Sequence, residues 1–503
     1  MWYGFALIIF LLCEFLAGFS GVRKVAAGVH GLTIDFTQRR NIIIILIVVA
    51  LLLLLCLEPM GWAPLWNGEV PGHRNQYEEL ADAFLKGQLH FDVEVDPALL
   101  ELDNPYDRDA RVEAGVESRQ WDDMWDHAYY NGHYYMYFGV VPVLLLFMPY
   151  QVITGNPLTT YHATQIFVAL FIAGLFLLFA YLTKKFFPKM PFAVFLLLST
   201  AVAVMSIWYC VSYPALYCTA ISSALCMMIW SLYFFARAAF DENTTPKTFI
   251  FAAVGSLLGA LAFGCRPTIA LGNLMVIPLF VTFVRSRKLT GAQWGYTALC
   301  VLPYAAVAAG LMWYNNARFN DPFEFGQSYQ MTVADQSQYG NVFANMDWNR
   351  LGKNLADALF RSDCEPIDYG IFVTFPILFL GLVGACRKGS RGYLMKSGLG
   401  LVIPTAVVTT LVTIVMGILW TPYLLARYTM DYLWLMGVAL FVGVGALYQR
   451  EKVNPRLTLI VGILSVFAVV VCIALFCTPY DSNFASHEGF DEAWVKGILK
   501  WKH

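Results

Sequence analysis

Apolar runs of about 20 residues recur along almost the whole of this 503-residue chain. A helix of that length crosses the hydrocarbon core of a bilayer, where every backbone N–H and C=O must bond within the segment. The runs predict twelve transmembrane helices, near residues 2–20, 41–57, 162–183, 191–210, 214–236, 248–264, 268–285, 295–314, 368–386, 397–420, 430–447 and 457–477. With 58% hydrophobic and 14% charged residues, the chain is predicted to be an all-α polytopic membrane protein.

Lysine and arginine collect in alternate loops, which is typical of loops that face the cytoplasm. Nineteen of the 33 basic residues lie on one side of the predicted bundle, within 23–40, 184–189, 237–247, 285–288, 387–396 and 450–456. Both termini and the two long loops, about 58–133 and 315–367, are therefore predicted to be exoplasmic.

The apolar stretch at 134–153 must not cross the membrane, because a full crossing would invert every later loop. It is predicted to be a re-entrant or interfacial helix pair bent near Pro142 and Pro149, covered by protein or a water-filled cavity. The predicted segments are two helices (1–57), an acidic loop with the re-entrant segment (58–161), six helices (162–314), a second loop (315–367), four helices (368–477) and a tail (478–503).

The first long loop is strongly acidic. From Glu58 to His133 it has 17 acidic and 5 basic side chains, which predicts a small folded cap with a negative field. Within it, residues 76–91 place Tyr77 and other apolar residues at helical spacing, which predicts an amphipathic helix on the bilayer surface.

An acidic and aromatic stretch at 119–139 is the strongest candidate for chemistry. Sugars stack on aromatic rings, which makes Trp125, Tyr129 and Tyr130, together with Tyr77 of the preceding helix, candidate contacts. A nearby carboxylate can accept a hydroxyl proton. Asp126 is the preferred base. In the alternative interpretation, Asp126 and its neighbours Asp122 and Asp123 are solvated acids beside an aromatic interfacial belt.

Two arginines lie at predicted exoplasmic helix ends. Arg266 is followed by a helix-breaking proline, and Arg427 is followed at helical spacing by Tyr428 and Asp431. Guanidinium groups suit phosphate oxygens, so these residues predict a site for a lipid-linked phosphate. The alternative is that each arginine is a structural tie to a carboxylate.

The second long loop opens with amides and aromatics at 313–332, a composition suited to hydrogen bonding with sugars. Arg318 and Glu324 could bind substrate there. Alternatively, they pin the loop to the acidic cap, which is the interpretation that we favour.

Several classes of function lack support. A net charge of −2 without a basic patch argues against nucleic acid, and the nucleotide-binding, metalloprotease and serine-hydrolase motifs are absent from the sequence. Clustered carboxylates at 122–126 could hold a divalent metal, but no defined ligand spacing supports one, and we predict that no cofactor or metal is required.

The order of several motifs resembles a large group of bacterial membrane proteins, the C-type membrane glycosyltransferases. The motifs are QYEELADAFLKGQL (76–89), NPYD (104–107), WDHAYYNGHYYMYFG (125–139), GCRPT (264–268), NNARFNDPFEFGQSYQ (315–330) and ARYTMDYLWL (426–435). The resemblance implies a helical bundle whose first exoplasmic loop carries an acidic catalytic residue. It also implies a polyprenyl-phosphate sugar as donor, inverting displacement, and a site in the bacterial plasma membrane.

One departure from the resemblance bears on the base. In the related protein mannosyltransferases and the aminoarabinose transferase, an acidic pair precedes the tyrosine of the surface helix, whereas residues 73–77 here read His-Arg-Asn-Gln-Tyr. The role of base then passes to Asp126 or to another acid of the loop.

The acceptor could be a glycan, a glycolipid or a protein, with membrane lipids around the site. A lipid-glycan transporter and a noncatalytic scaffold are the alternative functions.

Overall fold

The structure is a computed structural model that describes residues 19–60, 76–212, 214, 216–287, 289–332, 335–336, 348–360, 370–420, 426–450 and 453–476. In this part of the chain, ten helices are long and apolar enough to cross a membrane: Arg39–Met60, Thr160–Phe186, Phe192–Ser212, Leu216–Phe240, Pro246–Gly264, Pro267–Ser286, Gly291–Phe319, Val402–Leu419, Ala426–Tyr448 and Arg456–Phe476. Each coincides with a predicted run, which confirms the all-α polytopic membrane class. The run at 2–20 lies almost wholly outside the described residues.

The prediction of one continuous helix over 368–386 is wrong. The segment forms two helices, Ile371–Thr374 and Leu378–Cys386, and a basic helix follows at Lys388–Ser397. Pro376 lies in the break, where it lacks an N–H to donate and would clash with a continued helix. Neither piece is long enough to span a bilayer alone.

The helix Ala426–Tyr448 lies at the centre of the bundle. All its residues from Met430 to Tyr448 are buried, as expected for a helix that is apolar on every side. By contrast, the helix Gly291–Phe319 faces mostly outward. Arg427 and Asp431 lie at one end of the central helix, at the end of the bundle that carries both long loops, which we call the loop end.

The first long loop contains four described helices, Gln76–Leu85, Pro97–Leu100, Arg108–Glu113 and Val116–Met124. Strands β1 (His127–Tyr130) and β2 (His133–Met136) then form an antiparallel hairpin in which Ala128 pairs with Tyr135. Its turn is Asn131-Gly132, with φ of 49° and 78°, the left-handed pair that a tight hairpin turn requires.

The predicted helix pair over 134–153 is also wrong. Its first residues belong to β2, and after the hairpin the chain forms one short apolar helix, Val143–Thr154, with a π-helical turn at Val143–Phe147. The alternating tyrosines suit a pleated strand, and Pro142 precedes the π turn, so it interrupts no helix. A single short helix does not cross the bilayer.

The two long loops form one cap, because residues 329–331 bond to β1 around an isolated antiparallel bridge between Ala128 and Gln330. The N–H of Tyr129 donates to the carbonyl of Tyr329 (2.9 Å), and the N–H of Met331 donates to the carbonyl of His127 (2.8 Å). Arg111, which is fully buried, donates from Nη2 to the carbonyl of Thr332 (2.7 Å). Asp126, at the start of β1, is thereby held by both loops.

Gly139 provides a test of how the hairpin is seated on the bundle. A Cβ on Gly139 would lie 2.2 Å from the carbonyl oxygen of Gly264, next to the turn that carries Arg266. Gly139→Ala is expected to lower the free energy of unfolding by about 1–3 kcal/mol, because backbone must move to admit the methyl group. Gly310→Ala is the matched control, since nothing lies within 4 Å of its added Cβ. Equal stability of the two variants would contradict this close contact.

Candidate functional site

Asp126 is a buried carboxylate, with 6% of its surface exposed. Its backbone is left-handed (φ 58°). Oδ1 accepts from Nε2 of Gln330 (2.8 Å), and Oδ2 accepts from the hydroxyl of Tyr217. Nε2 of Gln76 donates to the backbone carbonyl of Asp126 (2.8 Å). Three other segments of the chain therefore hold this residue, and two of them bond its carboxylate directly.

The pKa of Asp126 reflects this environment. Burial raises the pKa of the carboxyl above its usual range, and this effect exceeds the opposing hydrogen bond from Tyr217 and the positive charges of Arg427 and His127. A carboxylate whose pKa is raised is a stronger base than a solvated one, and such groups concentrate at functional sites. The interpretation of Asp126 as a solvated loop acid is therefore wrong.

Arg427 lies beside this carboxylate without pairing with it. Its guanidinium carbon is 4.2 Å from the centre of the Tyr217 ring and 5.3 Å from the centre of the Tyr428 ring. Among the described carboxylates, none is within ion-pair distance of Arg427. A guanidinium that packs against aromatic faces keeps its N–H groups available for an anion.

Arg266, by contrast, has a carboxylate partner. Nε and Nη2 donate to the two carboxylate oxygens of Asp431 at 2.6 and 3.0 Å, and the Thr268 hydroxyl donates to the same group (2.7 Å). Both charged residues are largely buried. The guanidinium of Arg266 lies 5.7 Å from the centre of the Tyr428 ring, so this ring contacts both arginines. The geometry supports the structural tie for Arg266 and leaves Arg427 as the candidate anion-binding group.

Arg318 ties the second loop to the first, as the pinning interpretation predicts, whereas Glu324 bonds only within its own loop. Arg318 is buried and donates to the carbonyl of Met136 (2.7 Å), at the end of β2. Glu324 accepts from the N–H groups of Gly326 (2.6 Å) and Ser328 (3.4 Å) and so closes its own turn. Neither interaction places these side chains beside Asp126.

The candidate aromatic contacts do not form one sugar-binding face. Tyr129 packs with the fully buried Tyr77 in one apolar cluster, whereas Tyr130 packs on the opposite face of the hairpin against Tyr329. Neighbouring residues of a strand point to opposite faces, which separates the two side chains. Tyr77 stacks on Phe147, and the half-buried Trp125 offers its carbonyl to Nδ1 of His127 (3.0 Å).

Sequence reasoning missed Tyr217, Gln330 and Gln76, which contact Asp126. Tyr217 lies near the start of a transmembrane helix, and Gln330 belongs to the amide-rich stretch at 313–332 but is 204 positions from Asp126. Nothing in the sequence therefore pairs either residue with Asp126. Residues 73–75, where the departure from the glycosyltransferase pattern lies, are outside the described residues, as are the side chains of Asp122 and Asp123. In the described part of the chain, no group of three His, Cys, Asp or Glu side chains could hold a metal ion.

The fold and site define a polytopic membrane protein with a buried carboxylate and a cluster of arginines under a cap made by two loops. No protein-family model and no curated protein matches the chain. Among solved structures, the apo Archaeoglobus fulgidus oligosaccharyltransferase is similar at 12% identity, with a TM-score of 0.43. The match covers 91% of this chain and 57% of that one, so this chain spans just over half the length of that protein. A likeness at this level defines neither a family nor an activity.

Proposed function

We propose that the protein is a C-type membrane glycosyltransferase that transfers a sugar from a polyprenyl-phosphate donor to an acceptor hydroxyl on the exoplasmic face of a bacterial plasma membrane. The observation that carries the proposal is the arrangement at the loop end, where a buried carboxylate and a guanidinium that pairs with no described carboxylate flank one tyrosine. Displacement of a lipid phosphate requires a base for the acceptor hydroxyl and a group that binds the departing anion.

In the proposed reaction, the acceptor hydroxyl donates its proton to Asp126 as its oxygen attacks the anomeric carbon. The bond between that carbon and the phosphate oxygen breaks, so the bonding electrons leave with the lipid phosphate and the configuration inverts. Each oxygen of Asp126 accepts one hydrogen bond from protein and keeps further acceptor capacity for the incoming hydroxyl.

Arg427 would act on the leaving group. Negative charge grows on the phosphate as the glycosidic bond breaks, and a fixed guanidinium stabilises this charge more strongly in the transition state than in the ground state. Arg266 would act indirectly, because its pairing with Asp431 fixes the Tyr428 ring that both arginines contact. No metal or cofactor enters this scheme.

The acid side of the pH profile tests the role of Asp126. A base must be ionised, and burial raises the pKa of this carboxyl. We therefore expect kcat/KM to fall as the pH decreases, starting at a higher pH than an ordinary aspartate would give. The measurement is kcat/KM against pH, with stability checked at each point. A rate that stays constant down to the ordinary aspartate range would contradict this role.

Loss of the guanidinium of Arg427 is expected to weaken catalysis strongly. Arg427→Gln should lower kcat/KM for the lipid-linked donor by about 10²–10³-fold, the usual effect of removing one charge-stabilising donor. Arg427→Lys should recover part of the rate, because it restores the charge without the planar fork. If Arg427→Gln retains the wild-type rate, the phosphate is bound elsewhere.

The experiment that tests the function as a whole uses purified protein in lipid nanodiscs with a panel of polyprenyl-phosphate sugars. Wild-type protein is expected to release the free lipid phosphate in the presence of an acceptor mixture, and Asp126→Asn is the control. Absence of release from every donor would count against transferase activity. Movement of lipid-linked sugar across vesicles without a new glycosidic bond would favour a transporter.

A further inference from the structure

Tyr217 contacts both functional charges at once. Its hydroxyl donates to Oδ2 of Asp126, and the face of its ring lies 4.2 Å from the guanidinium carbon of Arg427. It belongs to the helix Leu216–Phe240, whereas Asp126 precedes β1 and Arg427 begins the central helix. One phenol side chain therefore joins three separate segments.

The carboxylate of Asp126 and the guanidinium of Arg427 do not form an ion pair, although they are close enough for the charge of Arg427 to lower the pKa of Asp126. Opposite charges in a buried site attract strongly, and Tyr217 is in contact with both of these groups. Other groups that face Asp126 are Gln330 from the second loop, the neighbouring His127, and Tyr137 beyond β2. Among the described residues that face Asp126, Tyr217 is the one that also contacts Arg427 directly.

We propose that Tyr217 is a positioning residue that holds Asp126 and Arg427 apart, so that the base stays free for the acceptor and the guanidinium stays free for the lipid phosphate. The proposal rests on the proposed function for its catalytic meaning. The separation itself is a property of the folded protein and can be measured without any substrate.

A direct ion pair between the two residues would impair both roles. It would favour the ionised carboxylate and so weaken it as a base. It would also occupy the N–H groups of the Arg427 guanidinium that the phosphate oxygens need. The aromatic ring avoids both effects, because it attracts the guanidinium through its face and leaves the N–H groups at the edge unoccupied.

Two substitutions separate the hydroxyl from the ring. Tyr217→Phe keeps the ring and removes a hydrogen bond that lowers the pKa of Asp126, so the acid limb of the pH profile should move to higher pH. Its plateau rate should fall about tenfold, the effect of losing a hydrogen bond to a charged group. Tyr217→Ala removes the ring as well, so Asp126 and Arg427 can pair. The acid limb should then move to lower pH, and kcat/KM should fall by more than about a hundredfold.

An infrared titration of the carboxyl band makes the same test without transfer activity. The band of Asp126 is identified by its loss in Asp126→Asn, and its midpoint is compared among wild type, Tyr217→Phe and Tyr217→Ala. Tyr428→Phe is the control, because the Tyr428 ring also lies near Arg427 but its hydroxyl is not bonded to Asp126. It should leave the midpoint unchanged.

Shifts in opposite directions support the proposal, and shifts in the same direction overturn it. An unmoved midpoint in Tyr217→Phe, the variant that keeps the packing of the ring, also overturns it. If no donor supports transfer while the infrared midpoints diverge as expected, the proposed function fails and the separating role of Tyr217 stands.

Discussion

Asp126→Asn is expected to lower the rate of sugar transfer by about 10²–10⁴-fold, the contribution of a positioned general base. The fold should be unchanged. Asparagine tolerates the left-handed backbone that Asp126 adopts, its amide oxygen can still accept from Gln330, and the Tyr217 hydroxyl can rotate to accept from the new amide. The measurements are the transfer rate with an active donor and the thermal midpoint of the purified protein.

Asp92→Asn is the matched control for this experiment. Asp92 lies in the same acidic loop, but it is exposed and paired with Lys86 at the surface, so its loss should change the rate by less than about twofold, as for most surface substitutions. If Asp126→Asn is as active as Asp92→Asn, the base is another acid of the loop. If Asp126→Asn is unfolded, the rate comparison moves to Asp126→Glu, whose longer side chain should misplace the carboxylate.

Asp431→Asn is expected to lower the free energy of unfolding by about 3–5 kcal/mol, because it leaves the guanidinium of Arg266 buried beside a neutral partner. Asp431 is 4% exposed and Arg266 13% exposed at the side chain, and two hydrogen bonds join them. Denaturant titration in detergent micelles gives the change in stability. Replacing both residues by apolar ones should recover much of it, since no buried charge is then left unpaired.

The control for this prediction is the pair of Lys185 and Glu242 at the other end of the bundle. Its carboxylate is 84% exposed at the side chain, and exposed ion pairs contribute little to stability. Glu242→Gln should therefore be indistinguishable from wild type. A loss in Asp431→Asn no larger than that of Glu242→Gln would mean that water reaches Arg266.

The fold could be predicted from sequence wherever the need to satisfy backbone hydrogen bonds inside the bilayer is the only requirement. Ten apolar runs gave ten helices of spanning length, because a bilayer leaves the backbone no other partner. The run at 368–386 failed because total hydropathy ignores what Pro376 does to a helix. The hairpin was not predicted, although Asn131-Gly132 between alternating tyrosines is a strong turn signal. Apolar composition alone does not distinguish a short strand from a helix.

The candidate site was predictable only in part. Arg266 and Arg427 stood out because a charge at an apolar helix end needs a partner, Asp431 because it follows Arg427 at helical spacing, and Asp126 because it lies among aromatic residues. Which arginine pairs with a carboxylate was not predictable, because the choice depends on the packing of helices 165 positions apart in the chain. Tyr217 carried no signal of its own, since a tyrosine at a helix end is common in membrane proteins.

The bonding of residues 329–331 to β1, which joins the two long loops, has a consequence for biogenesis. Asp126 leaves the ribosome early, yet its partner Gln330 follows only after six further spans have been made. At about 5–20 residues per second, this delay is on the order of ten seconds or more. During that interval the half-built cap lacks residues 329–331, so nascent chains released before residue 331 should expose the outer edge of β1 to chaperones and proteases.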